Sequence, residues 1–169
     1  VTVADVVADA RVSRTSFYAQ FTDREDCFLA ATAAGRRRMF AHIGDTVDAM
    51  PAGATDVELL RAGLRGYLGY LAADPAFATV FYLELPSVGR RGVDRLAEAR
   101  RKLAARTAVW HTRARLRHPE WPEVSAVVYR ALAGATEELV VEQVRAAATD
   151  QLAALEEVLV DIHLRLLTA

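Results

Sequence analysis

An all-α fold is predicted by three features of this 169-residue sequence. Apolar residues recur at intervals of three and four along nearly its whole length, the period of an amphipathic helix. Sustained alternation and Asn-Gly or Asp-Gly hairpin turns, the marks of strands, are absent. The breaks fall at helix punctuation: Pro51-Ala52-Gly53, Leu85-Pro86-Ser87-Val88-Gly89 and His118-Pro119-Glu120-Trp121-Pro122.

Each element has a local cause. Thr2 caps a short helix running to about Ala10, and Asp5 completes a capping-box-like pair. Ser13 caps a second short helix through about Gln20. Asp23 caps a third that runs toward Val47, with Glu25 and Asp26 complementing the dipole of its first turn. From Asp56, Val57, Leu60, Leu64, Tyr67, Leu68 and Leu71 trace one face of the next helix. Asp74-Pro75 reads as a cap followed by a first-turn proline. A strongly basic helix is expected over about Val93 to Arg117, and two final helices over about Glu123 to Ala147 and Asp150 to Leu167.

Composition narrows the class. Apolar residues make up 53% of the sequence, enough for a substantial core. The lone cysteine, Cys27, excludes an intramolecular disulfide framework and fits a reducing cytoplasm. No apolar run reaches the roughly 18 to 20 residues that span a bilayer, and no signal peptide opens the chain, so no membrane partner is expected. The net charge of −1 hides an asymmetry. Arg11, Arg14, Arg24 and Arg36 to Arg38 lie toward the N-terminus, whereas acidic residues such as Glu137, Glu138, Glu156 and Glu157 gather near the other end.

Two short helices joined by a tight turn suggest a helix-turn-helix. Val3, Val6, Val7 and Ala10 offer the first helix an inward face, Val12 plugs the turn, and Phe17, Phe21 and Phe28 supply a small core. Arg14, Thr15, Ser16, Tyr18 and Gln20 are then left largely outward, groups suited to phosphates and base edges. On these residues alone, an ordinary helical hairpin with a solvated polar face stands equally open.

The stretch from Thr2 to Phe21, with its Phe17-Tyr18-x-x-Phe21 core, and its continuation Thr22-Asp23-Arg24-Glu25-Asp26-Cys27-Phe28-Leu29 resemble the DNA-binding signature of the TetR family. The resemblance implies a transcriptional regulator that contacts DNA through Thr2, Ser13, Arg14, Thr15, Ser16, Tyr18, Gln20 and Arg24. In it Tyr18 takes the recurrent phosphate-contacting place, Arg24 stands for the usual lysine, and Arg14 and Thr15 tune sequence preference. It also implies a further helix ahead of Thr2, which this chain is expected to lack. Arg11 stands where the family pattern has glycine, and a non-glycine residue at positive φ costs about 1 kcal/mol.

Aromatic and polar residues in the middle helices are the candidates for an effector pocket: Phe40, Tyr67, Tyr70, Phe77, Phe81, Thr107, Trp110 and His111. Plain core is the alternative for each. Family analogy implies a small, largely apolar effector that shifts two reading heads. His42, His118 and His163 lack partners at metal-ligand spacing, and no nucleophile arrangement or phosphate loop is visible. No metal, cofactor or enzymatic activity is expected.

Assembly is read from the last two helices. Leu152, Leu155, Leu159, Ile162 and Leu166 are spaced 3, 4, 3, 4 as in a heptad seam, and Val128, Ala131, Ala135 and Leu139 face them from the preceding helix. The expectation is a homodimer that presents two heads to a double-stranded operator. The chain is thus expected to divide into a helix-turn-helix module with its connecting helix, residues 1–47, and a helical ligand-binding and dimerisation domain, residues 48–169. The resulting reading is a cytoplasmic repressor released from DNA by a small molecule. Its competitor is a helical small-molecule-binding or protein-interaction module that does not bind DNA.

Overall fold

The computed structural model describes all residues from Val1 to Ala169 and contains helices, turns and no strand. Two short helices, α1 (Val3–Asp9) and α2 (Arg14–Tyr18), precede the long α3 (Arg24–Asp48). Thr2 and Asp5 form a reciprocal capping box on α1, Ser13 caps α2 through the Ser16 amide, and Asp23 caps α3 through the Asp26 amide. The second helix stops two residues short of the expected Gln20.

Three further helices follow: α4 (Asp56–Ala73), α5 (Pro75–Thr79) and α6 (Arg90–Ala114). A Thr55–Glu58 capping box starts α4, and the Asp74 side chain accepts from the Phe77 amide to start α5. Between α5 and α6 the chain winds through a π-helical turn, Val80–Glu84, and a 3₁₀ turn, Leu85–Val88. Gly92 then lies against the Leu85 carbonyl so closely that a Cβ there would overlap it. The basic helix α6 therefore begins three residues before Val93 and ends three before Arg117.

The last two helices are α7 (Ala126–Arg145) and α8 (Glu156–Leu167). They are joined through a 3₁₀ segment, Thr149–Leu155. This break corrects the expected continuous helix from Asp150, because 3₁₀ winding eclipses residues three apart and does not carry a heptad face into α8.

Helix α3 packs along α4, the 3₁₀ segment and α8 cover α4, and α6 lies against α7. Their shared core joins Met39 and Ile43 of α3, Tyr67, Leu68 and Leu71 of α4, Phe81, Leu85, Val140, Leu152 and Leu159. No helix is long and apolar enough to cross a membrane.

Candidate functional site

The N-terminal unit is built on one residue. Phe17 is the only fully buried side chain of α1 and α2, with the Tyr18 and Phe21 rings 5.3 and 5.4 Å from it. Val3, Val6 and Val7 are half-buried, and Val12 is 47% exposed. Val12 therefore does not plug the turn. It follows a residue at positive φ, Arg11 (φ 54°), and its amide donates to the Val7 carbonyl at 3.0 Å while its side chain faces outward.

The structure exposes every residue expected to contact DNA: Thr2, Ser13, Arg14, Thr15, Ser16, Tyr18, Gln20 and Arg24. The Ser13 and Ser16 hydroxyls are 2.9 Å apart and engaged with the start of α2. Arg24 donates to the Val1 carbonyl at 2.6 Å, which brings the start of α3 beside the start of α1 and places Thr2 and Arg24 on one edge. Arg11, Arg14 and Arg24 form no ion pair, whereas Glu25 and Asp26 are drawn aside by Arg91 of α6.

A second feature lies at the other end of α3. A cavity of about 750 Å³ opens between the end of α3, α4 and α6. Ile43 and Val47 of α3, Leu60 and Leu64 of α4, and Leu103 and Trp110 of α6 give it apolar walls. Its mouth carries Lys102, Arg106, Arg113 and Arg117 together with the exposed Val109 and Leu116. Arg117 is committed to Asp56, a buried carboxylate at the start of α4 that also meets His118 at 3.2 Å. Its hydrogen bonds to Arg117 outweigh the effect of burial and hold the Asp56 carboxyl below the usual range. The Asp56 carbonyl accepts from the Trp110 indole at 2.9 Å, fixing that ring in the wall. Lys102, Arg106 and Arg113 have no carboxylate partner, and Lys102 sits 4.5 Å over the Phe40 ring.

Of the residues expected to form an effector pocket, Tyr67, Thr107 and Trp110 line this cavity. The other five sit outside the lining. Phe40 lies beneath Lys102, and Phe77 fills the notch at Gly35, where a Cβ would overlap its ring. Phe81 stacks on Phe77 at 5.3 Å, and Tyr70 meets Phe77 edge-on. His111 is fully buried between the Tyr129 hydroxyl and the Leu167 carbonyl, each at 2.8 Å. Burial pushes its pKa down, and the carbonyl contact makes Nε2 the protonated nitrogen. The sequence reasoning missed Ile43, Leu60, Leu64, Thr136 and His163, and also the cationic mouth. The signal for the mouth was present in α6 and the turn after it, where Val109 and Leu116 interrupt a run of basic residues.

The expected dimer seam is divided by burial. Leu152 and Leu159 are fully buried in the core of the single chain, so they offer nothing to a partner. Leu155, Ile162, Val128 and Leu139 are half-buried, and Leu166, Ala131 and Ala135 are exposed. The outward apolar stripe of α8 is Val158, Ile162 and Leu166, joined on α7 by Val127, Ala131 and Ala135. No three His, Cys, Asp or Glu side chains converge as a metal site.

No family model and no curated protein sequence matches the chain. Solved structures do. The fatty acid degradation regulator FadR from Bacillus halodurans superposes with a TM-score of 0.81 at 18% identity, over 96% of this chain and 87% of that one. The transcriptional regulator FadR from Bacillus subtilis, solved in complex with stearoyl-CoA, gives 0.78 at 19% identity over the same shares. A bacterial regulatory protein of the TetR family from Rhodococcus RHA1 gives 0.70 at 17% identity, over 100% of this chain and 87% of that one. These neighbours are regulatory proteins rather than enzymes. With its helix-turn-helix unit, long connecting helix and all-α body, the chain has the fold of TetR-family transcriptional regulators.

Proposed function

We propose that this protein is a ligand-responsive DNA-binding transcriptional regulator, a repressor released from its operator when a small amphipathic molecule enters the cavity. The observation that carries the proposal is the placement of α3. Arg24 at its start belongs to the exposed polar edge of the N-terminal unit, while Ile43, Gly44, Val47 and Asp48 at its end form a wall of the cavity. A helix of 25 residues spans about 37 Å. A ligand that displaces the cavity wall therefore displaces the reading head, provided it binds the two head positions with different affinity.

The working division is a reading head with its connecting helix, residues 1–47, and an effector-binding body, residues 48–169. In the head, Tyr18 and Arg24 position the phosphate backbone and Arg14 and Thr15 read base edges. In the body, apolar walls with three cations at the mouth that have no carboxylate partner suit an apolar chain bearing an anionic head group. A long-chain acyl-CoA has that chemistry, and the Bacillus subtilis FadR structure contains one. Two copies pair through Val158, Ile162 and Leu166 with Val127, Ala131 and Ala135 in the cytoplasm, which sets two heads on one operator.

The test is a fluorescence-anisotropy titration of the protein on DNA from upstream of its own gene, with and without stearoyl-CoA. Expected are specific binding and release by the thioester. Arg14→Ala should change site preference, and Tyr18→Phe should weaken all sites alike. Wild-type behaviour of both variants, or DNA binding no tighter than to random sequence, would overturn the assignment.

A further inference from the structure

The closed end of the cavity is polar, and its polar groups are left over by the protein. Thr136 of α7 and His163 of α8 both line the cavity, and each is only 3% exposed. The Thr136 hydroxyl has no hydrogen-bond partner in the protein. It does not take the carbonyl one turn back, the usual outlet for a helical threonine. His163 Nδ1 lies 2.7 Å from the Leu159 carbonyl. A carbonyl only accepts, so Nδ1 carries the proton and donates. Nε2 is left as an acceptor, and no protein donor meets it. Burial pushes the His163 pKa down, which keeps the ring neutral. Tyr67, the third polar residue at this end, already shares its hydroxyl with Tyr82 at 2.6 Å.

The Thr136 hydroxyl is thus enclosed without a partner, and the Nε2 acceptor of His163, an equally buried residue of the same cavity, has none within the protein; such groups are costly unless something pairs them. An alkyl terminus would leave both unpaired. A carbonyl or ether would serve Thr136 and leave Nε2 bare. An ammonium would bring an unpaired charge into a buried site, and a carboxylate would face the Nε2 lone pair. A hydroxyl answers both, accepting from one group and donating to the other.

We propose that Thr136 and His163 form a subsite for a hydroxyl carried at the far end of the effector. The Thr136 hydroxyl donates to the effector oxygen, and the effector O–H donates to His163 Nε2. Resting on the ligand class proposed above, the effector is a hydroxylated amphiphile. Its anionic group meets Lys102, Arg106 and Arg113 at the mouth, its apolar chain fills the middle, and its hydroxyl reaches the floor.

Two matched pairs of probes test this, with binding read by titration calorimetry and by quenching of Trp110, which lines the cavity. One pair is a ladder of saturated acyl-CoA thioesters against their terminally hydroxylated counterparts. The other is neutral, long-chain alcohols against their methyl ethers. In wild type the hydroxylated member should bind at least about tenfold tighter at the matching chain length. Thr136→Val, which keeps the side-chain shape, should abolish that preference without weakening the plain member. Thr136→Ser should restore it, and His163→Phe should reduce it. A preference among the alcohols with no thioester binding would reject the acyl-CoA ligand class and uphold the subsite. Equal affinities within both pairs, or a preference unchanged in Thr136→Val, would overturn the subsite even where plain thioesters bind.

Discussion

Glycine at position 147 should stabilise the protein, although nothing around the site is repacked. Ala147 follows α7 with φ at 53°, one of two non-glycine residues at positive φ, the other being Arg11 at 54°. Both sit in the same device. The Ala147 amide donates to the Val144 carbonyl at 3.1 Å and the Ala148 amide to Gln143 at 2.9 Å. The Arg11 amide donates to Ala8 at 3.2 Å and the Val12 amide to Val7 at 3.0 Å. These are Schellman closures with the left-handed residue one place past the cap, where glycine carries no Cβ penalty.

The left-handed conformation costs an L-residue about 1 to 2 kcal/mol. Glycine gives back about 0.4 to 1 kcal/mol through its freer unfolded chain. The net gain for Ala147→Gly is about 0.5 to 1 kcal/mol, or about 1 to 4 °C in Tm for a chain of this size. The neighbouring Ala146 has φ at −76°, so Ala146→Gly should instead destabilise by about 0.5 to 1 kcal/mol. Urea denaturation followed by circular dichroism measures both, with an unchanged m value as the check that the end states are the same. Equal signs for the two adjacent substitutions would refute the backbone argument. Arg11→Gly acts in a unit whose only fully buried residue is Phe17, so its effect should show as slower hydrogen exchange at the Ala10, Arg11 and Val12 amides rather than as a higher global Tm.

Other perturbations follow from specific contacts. Gly92→Ala drives a Cβ into the Leu85 carbonyl, a backbone atom that cannot rotate away, and should lower stability by about 1 to 3 kcal/mol, measured by the same denaturation. Asp56 is held ionised by Arg117, so its folded pKa lies below the unfolded value. Its contribution is therefore complete above about pH 4 and is lost as pH falls through the folded value. Asp56→Asn should be less stable than wild type at neutral pH, and the gap should narrow in acid; a gap independent of pH would show that the loss does not come from the ionised carboxylate. Val158→Glu with Leu166→Glu changes two half-exposed positions of α8 and should yield a folded monomer in sedimentation, whereas Leu159→Glu puts a charge at a fully buried site and should unfold the chain. An unchanged dimer in the first variant would exclude this face as the interface.

The helix starts and the pair of short helices at the N-terminus were legible in the residues because their causes are local. Thr2 with Asp5, Ser13, Asp23 and Asp74-Pro75 each satisfy amides within one turn of themselves, so their spacing is sufficient evidence. The packing of Phe17 with Tyr18 and Phe21 is likewise contained in one short stretch. Side-chain allegiance in the body was not legible. Leu152 and Leu159 carry the spacing of a dimer seam, yet both are core, because the chain winds as 3₁₀ through Leu155 and turns that face onto α4. Phe81 and His111 have the composition of a pocket and are enclosed, while Thr136 and His163 gave no signal and line the cavity floor. Periodicity says which residues share a helix face. Whether that face meets core, cavity or solvent depends on where the neighbouring helices end and how closely they approach, distances that only the assembled chain determines.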